Sequence, residues 1–385
     1  MKFLKLTFRN AGRHTLRTVL TVFGMAIAVM AFAVIRTAIE AWYSQAEASS
    51  PNRLVTMNNV SIVFTLPLAY QSKIEAVPGV NTVAHAQWFG GVYIDAKNFF
   101  PKFAIEAEPY LKMYPEWVVP EDQKEAFLKE RNAAMIGRKL ADRFGWKVGD
   151  AVRIVGDIFP GDWDFVIRAI YTGAKENTDE NSWMFHYEYL DERMRRETPA
   201  RAGEVAWFVV QIDDPTRATA LSEQIDALFK NSPAETKTQT EEAFALSFVA
   251  MSGSIIAGMQ IISVMVIGII LLVLANTMAM TARERISEYA VLKTLGFSPK
   301  HIVGLIFGES LVIAVLGGAL GIALTFPIVG LMKLALSAYF GAFPLPALTF
   351  ILAGGSAVVV GLLAAIFPAS KALRTTIVDG LRVID

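Results

Sequence analysis

Apolar residues are unevenly spread along this chain: they gather in one run near the N-terminus and three near the C-terminus, around a long stretch of mixed polarity. The first run extends from about Leu16 to Ile39 and carries charge only at Arg17 and Arg36, near its ends. Such a run can cross a hydrocarbon core, which takes roughly 20 apolar residues in a helix. The other runs lie near Ile255 to Met280, Ile302 to Leu331 and Ala347 to Phe367. A signal peptide also follows a basic start, but its apolar region is only roughly 7–15 residues long, so the first run is read as a membrane anchor.

Between the first and second runs the pattern shortens. Arg53 to Asn58, Gly91 to Ile94, Phe103 to Glu106, Ala151 to Val155, Phe165 to Tyr171 and Val205 to Ile212 are rich in β-branched and aromatic residues and bounded by turn formers, which predicts strands. Leu68 to Ala76, Glu121 to Arg131, Ile136 to Phe144 and Arg217 to Phe229 have helical spacing. The two kinds alternate, which predicts α+β rather than a sandwich. Asn231 to Glu242, polar and interrupted by Pro233, reads as a return towards the membrane. The expected fold class is therefore an α-helical membrane protein with four transmembrane helices plus an extracytoplasmic α+β domain.

The expected boundaries are an amphipathic interfacial helix over 1–15, transmembrane helix 1 over 16–39 and the α+β domain over 40–244. Transmembrane helix 2 with its stalk follows over 245–281, a cytoplasmic helix over 282–298, transmembrane helices 3 and 4 over 301–332 and 347–369, and a cytoplasmic tail over 370–385.

Composition agrees: 54 % of the 385 residues are hydrophobic and only 19 % charged, too apolar a balance for an ordinary soluble protein. Lys and Arg set the orientation. Lys2, Lys5, Arg9, Arg13 and Arg17 precede or open the first run; Arg283, Arg285, Lys293 and Lys300 lie between the second and third; Lys371, Arg374 and Arg382 follow the fourth. Only Lys333 lies between the third and fourth, so both termini and the second connection are expected in the cytoplasm and the large domain outside. Zero net charge gives no sign of a nucleic-acid partner. With no cysteine the outer domain must stand without disulfides, which a segment of about 200 residues can do by burial alone.

Candidate chemistry is sparse. There is no G-x-x-x-x-G-K-[ST] loop to cradle phosphates, no H-E-x-x-H and no G-x-S-x-G, and His14, His85, His186 and His301 are scattered. The chain reads as non-catalytic, with no metal or cofactor of its own. Gly317, Gly318 and Gly321 in the third run and Gly354, Gly355 and Gly361 in the fourth read as close helix packing, since small residues let backbones approach in lipid. Glu309 lies within the third run, where a charge is costly without a partner. It reads as a polar switch or, preferably, as a buried hydrogen bond anchoring that helix. Trp88, Trp117, Trp163 and Trp183 read as core in preference to a partner patch, and the acidic groups at Glu121, Asp122 and Glu125 and at Glu176, Asp179 and Glu180 as solvated faces.

The connection between the second and third runs has more to say. Ile286, Tyr289, Ala290, Leu292 and Lys293 recur at helical spacing, and Gly296 with Pro299 supplies a stop. Such a helix can press on a partner and pass its motion to the bilayer. Glu284-Arg285, Glu288, Ala290, Leu292-Lys293 and Gly296-Phe297 resemble the coupling-helix signature of MacB-type ABC permeases, the superfamily of LolC, LolE and FtsX. Arg13, Leu16-Arg17-Thr18, Leu20-Thr21 and Gly24 are similar to that family's first span, Asn276 and Met278 to the end of its second, and Glu309-Ser310 with Gly317-Gly318 and Gly321 to its third. Pro368-Ala369, Ala372, Val378-Asp379 and Leu381-Arg382 resemble its closing segment, and Val77-Pro78-Gly79-Val80, Gly137-Arg138-Lys139-Leu140-Ala141, Gly145 and Val148-Gly149-Asp150 its periplasmic core domain.

The resemblance implies a permease in the bacterial inner membrane, working as a dimer with a second permease copy or paralogue and with a dimer of separate ABC ATPase subunits that hold ATP and Mg. MacB itself carries its ATPase ahead of the first span, so this chain is expected to follow the split arrangement. Its implied action is mechanotransmission: ATP hydrolysis moves the outer domain, for export or extraction of a lipoprotein, lipid, peptide or drug. The alternative is an FtsX-like signalling protein that activates a cell-wall hydrolase; an adaptor or hydrolase is the corresponding outer partner. ATPase coupling is expected at Arg283, Glu284, Arg285, Glu288, Tyr289, Leu292, Lys293 and Gly296, with Glu288 and Lys293 the side chains whose replacement by Ala should uncouple the two subunits.

Overall fold

The computed structural model describes residues 15–175, 177–336 and 343–376. Glu176, the end of the tail over 377–385 and, but for Thr15, the expected interfacial helix lie outside them. The described residues form two compact units, one of 15–40, 253–334 and 343–376 and another of Ala41–Ser252 with 335–336.

Helix α1 (Thr15–Glu47) runs past the expected end at 39. Nothing between Glu40 and Ser50 breaks a helix, and Pro51 is the first residue to do so. Its 33 residues span roughly 50 Å, well beyond the roughly 30 Å of a hydrocarbon core.

The second unit carries strands β1 (Arg53–Asn58), β2 (Leu66–Pro67), β3 (Val80–Trp88), β4 (Lys102–Ile105), β5 (Trp117–Val118) and β6 (Ala133–Gly137). They are followed by β7 (Ala151–Gly156), β8 (Gly161–Gly173), β9 (Trp183–His186), β10 (Glu204–Val205), β11 (Trp207–Ile212) and β12 (Thr236–Thr240). Its helices are α2 (Tyr70–Glu75), α3 (Ala107–Met113), α4 (Glu121–Lys129), α5 (Arg138–Phe144), α6 (Tyr187–Glu197), α7 (Ala218–Leu228) and α8 (Glu241–Met251). The main sheet runs β12-β1-β11-β3-β4-β9-β6-β8-β5, with β7 also paired to β8. It is mixed: β4 with β9 and β6 with β8 are parallel, while β1, for example, is antiparallel to β11 and β12.

Alternation along the strands divides the core in two. Leu54, Val83, Ala134, Phe185 and Phe208 face one cluster, closed by Ile74 of α2, Leu140 of α5, Leu190 of α6 and Leu221 of α7. Val55, Ala84, Met135, Met184 and Val209 face another, closed by Tyr110 and Met113 of α3 and Phe127 of α4. Helices on both faces leave the central strands with no solvated side, so strands such as β6 and β9 show no apolar–polar alternation. That is why those two escape a reading based on alternation, and why Ile136-Gly137 belong to β6 rather than to the helix expected there. Gly90 to Ile94 is a loop with Gly90, Gly91 and Ile94 at positive φ, whose strand-like pairing with β7 is a single Val92–Val155 bridge.

The polar return at 231–242 contains β12, whose Thr236 and Thr238 point inward. Both hydroxyls donate to Asp226 of α7, at 2.9 and 2.7 Å, and Thr238 shares a 2.9 Å hydrogen bond with Thr56 of β1. Threonines satisfied in this way build an edge strand from a sequence that reads as loop. Trp163 and Trp183 lie fully in the core, while Trp88 and Trp117 are half-buried. Glu121, Asp122 and Glu125 are exposed on α4.

The first unit completes with α9 (Gly253–Glu284), α10 (Ile286–Thr294), α11 (Pro299–Leu336) and α12 (Ala347–Arg374). Among the described residues four helices, α1, α9, α11 and α12, are long and apolar enough to cross a membrane. Helix α11 packs closely on α1 and α12. A Cβ on Gly317 would stand 2.5 Å from Met25 Cβ, one on Gly321 2.6 Å from the Ala26 carbonyl oxygen, and one on Gly318 3.0 Å from Ala357 Cβ. Gly361 of α12 meets α11 in the same way, its Cβ 2.6 Å from that of Ala314, and its carbonyl accepts a 2.6 Å bond from Ser310. Gly354 has only ordinary contact, and Gly355 is exposed with nothing within 4 Å. Gly317→Ala should therefore cost roughly 1–3 kcal/mol by overpacking, read as a lower melting temperature of the purified protein. Gly355→Ala should leave it unchanged or raise it.

Candidate functional site

The segment from Glu284 to Lys293 brings the membrane helices together. Helix α9 runs on through Glu284, so the short helix after it begins at Ile286, later than the 282 read from sequence; the two are separate helices that flank Arg285. Helix α10 ends as the spacing suggests. Gly296 adopts φ 86°, its N–H bonds the Lys293 carbonyl at 3.1 Å and the Phe297 N–H bonds the Leu292 carbonyl at 3.0 Å. This is the six-to-one and five-to-two closure of a helix end that requires a left-handed residue, which glycine supplies without strain.

Three charged contacts anchor this segment. Arg17 of α1 grips Glu284 with both terminal nitrogens, Nη1 to Oε2 at 2.7 Å and Nη2 to Oε1 at 2.9 Å. Arg285 Nη1 donates to Glu309 Oε2 of α11 at 2.9 Å, with both side chains buried. Lys293 Nζ donates to the carbonyls of Ala372, Leu373 and Thr375 at 3.0, 3.3 and 2.6 Å. Those carbonyls belong to the C-terminal end of α12, where orphan acceptors and the helix dipole favour a cation. Continuous with α9, the segment is thus tied to α1, α11 and α12 by one cation–acceptor contact each. The contact with the most at stake is Arg285–Glu309, because a buried charge left without its partner is costly.

The residues expected to couple divide accordingly. Arg285, Tyr289 and Lys293 turn inward, Tyr289 packing on the membrane core with its phenol pushed by burial up to about 12. Glu284 is held by Arg17, and Leu292 is half-buried against the same core. Arg283 and Glu288 are exposed. With Glu288, Val291 and Leu295 fall at i, i+3 and i+7 and share one face. Val291 is 45 % exposed and Leu295 69 %, and Phe297 beyond the glycine is 43 % exposed, so an apolar, acid-edged strip faces away from the membrane core. Sequence reasoning named Glu288 and, within the family signature, Phe297, but passed over Val291 and Leu295, although their spacing was readable. It also read Arg17 as a flanking charge and part of the family's first-span pattern without its partner Glu284, and passed over the pairing of Arg285 with Glu309. Among the described residues no three His, Asp or Glu side chains come together as metal ligands would.

Geometry of this kind defines a membrane subunit whose helices converge on one exposed surface helix. Comparison with known proteins agrees. Residues 18–228 match the MacB-like periplasmic core domain, and residues 260–377 the FtsX-like permease C-terminal region. The chain belongs to the MacB-like, FtsX-like family of ABC transporter permeases, with four transmembrane helices and an extracytoplasmic α+β domain.

It is similar to the ABC transporter permease YtrF of Bacillus subtilis, 30 % identical over 162 residues that make up 38 % of this chain and 35 % of that protein. It is also similar to the uncharacterized ABC transporter permease protein Rv0987 of Mycobacterium tuberculosis, 24 % identical over 51 % of this chain and 22 % of that one. The matched stretches thus span well under two thirds of either relative. Among solved structures, the periplasmic region of MacB from Actinobacillus actinomycetemcomitans matches 52 % of this chain and 94 % of its own at 7 % identity and TM-score 0.38. The extracellular domain of YknZ from Gram-positive bacteria matches 49 % of this chain and all of its own at 10 % identity and TM-score 0.36.

Proposed function

We propose that this chain is a mechanotransmitting permease subunit: an ABC ATPase on another polypeptide docks on the exposed strip of α10, and its ATP-driven closure moves the extracytoplasmic domain to extract or expel a lipid, lipoprotein, peptide or drug. The observation that carries the proposal is the anchoring of residues 284–293 to α1, α11 and α12 together with an outward face of Glu288, Val291, Leu295 and Phe297. A force on that face has a short path to every membrane helix. On this reading the ATPase and its ATP and Mg face the cytoplasm, with both termini of the chain, and two permease chains share one ATPase dimer.

Docking and coupling separate by mutation. The double change V291D/L295D should weaken co-purification with the ATPase by about tenfold or more, the loss expected when an apolar anchor is removed from an interface. E309Q should leave association intact and abolish the permease's effect on ATP turnover. Retained binding in the first variant, or retained coupling in the second, would overturn the role given to this segment.

A further inference from the structure

In the extracytoplasmic domain, Arg53 sits at the start of β1, a few residues beyond the end of α1, and is only 3 % exposed. Its Nε donates to Glu241 Oε2 at 2.7 Å, its Nη1 to the Met113 carbonyl at 2.7 Å and to Glu116 Oε2 at 3.2 Å, and its Nη2 to Glu116 Oε1 at 2.5 Å. The guanidinium lies over the Tyr114 ring at 4.1 Å, while the Tyr114 hydroxyl and the Ser50 N–H both donate to Glu241, at 2.8 and 2.9 Å. One buried side chain therefore joins three distant segments: the strand after α1, the first residue of α8, and the loop from α3 into β5.

The position of β5 gives this clasp its meaning. In the main sheet β12 and β1 stand at one edge and β5 at the other, with β11, β3, β4, β9, β6 and β8 between them. Glu241 directly follows β12, and α8 leads by sequence into α9; Ser50 and Arg53 directly follow α1. Both connections to the membrane helices thus already meet at one sheet edge through the β1–β12 ladder. Apart from the Tyr114–Glu241 hydrogen bond, motion of that edge reaches β5 across the intervening strands. Arg53 bypasses them, and its fork fixes Glu116 in direction as well as distance. A packed apolar side chain would serve stability at least as well as a buried ion cluster; the directional links suit transmission.

We propose that Arg53 is the positioning residue that passes displacement of α1 and α8 directly to the α3–β5 segment at the far edge of the domain. The proposal rests on the coupling function proposed above and adds where in the outer domain the motion goes. The chain has no cysteine, so labels can be placed without background. Spin labels on A243C of α8, V118C of β5 and K333C of α11, all exposed positions, give two distances in the full chain with its ABC ATPase in lipid nanodiscs.

With vanadate-trapped ATP the 333–243 and 333–118 distances should both shift. In R53M the first shift should persist and the second be clearly reduced. E116Q, which keeps the Arg53–Glu241 link, serves where R53M does not fold, and should reduce the second shift in the same way. An undiminished 333–118 shift in the folded variants would overturn the role of Arg53. Absence of both shifts in the otherwise unmodified chain would overturn the coupling function, and this inference with it.

Discussion

Arg285→Met should lower the stability of the purified protein by roughly 3–5 kcal/mol, because it removes the cation that pairs with the buried Glu309 carboxylate. Both side chains of this pair are under 10 % exposed, and the 2.9 Å bond joins the start of α10 to the interior of α11. The paired replacement R285M/E309L should recover most of the loss, since a buried ion pair exchanged for apolar groups of similar size is often neutral or stabilising. Thermal melting in one detergent, with the single and double variants side by side, reads the difference. A double variant as unstable as R285M would show that packing at these positions, not charge pairing, sets their contribution. Removing the exposed Arg17–Glu284 pair should have a much smaller effect on melting, since pairs open to water contribute typically under about 1 kcal/mol.

Trp163→Ala should cost a similar amount, roughly 3–5 kcal/mol, but in the extracytoplasmic domain. The indole is completely buried; its Nε1 donates to the Phe159 carbonyl at 3.0 Å, Arg193 stacks on it at 4.2 Å and Phe89 meets it edge-on at 5.2 Å. Truncation opens a cavity among aromatic rings and leaves a carbonyl without its donor. The same change at Trp117, which is half-buried near the edge of the sheet, should cost clearly less. Urea unfolding of the full chain, followed by protease sensitivity of the extracytoplasmic domain, would rank the two. Equal sensitivity would contradict the placement of Trp163 at the centre of the core.

How much of this was legible in the sequence follows from what each feature depends on. The four membrane helices were plain, because a bilayer demands long apolar runs and these are visible without knowing any neighbour. Their ends were not: α1 continues to Glu47 and α12 to Arg374, past the apolar stretch, since a helix stops where backbone chemistry stops it and not where hydrophobicity does. In the extracytoplasmic domain β1 and β7 were legible, whereas β6, of sequence Ala-Ala-Met-Ile-Gly, was not. It lies between β9 and β8 with helices on both faces, so burial, not intrinsic preference, makes it a strand.

The surface helix shows the same division. Its existence, its glycine stop and its inward apolar spacing were written in residues 286–299, all local properties of one short stretch. Lys293 read as a charge for a partner, yet it is spent on the carbonyls of α12, a contact 79 residues away that no local pattern signals.

By itself, then, the sequence determined what short-range physics controls: which segments enter the bilayer, the α+β character of the domain between them, and the helix-and-stop between the second and third spans. Tertiary structure alone decided which charges meet. Arg17 with Glu284, Arg285 with Glu309, and Arg53 with Glu116 and Glu241 are pairings between segments far apart in the chain, and each depends on packing that brings its partners within hydrogen-bond reach. A cation in a sequence has many possible partners; only the fold selects one.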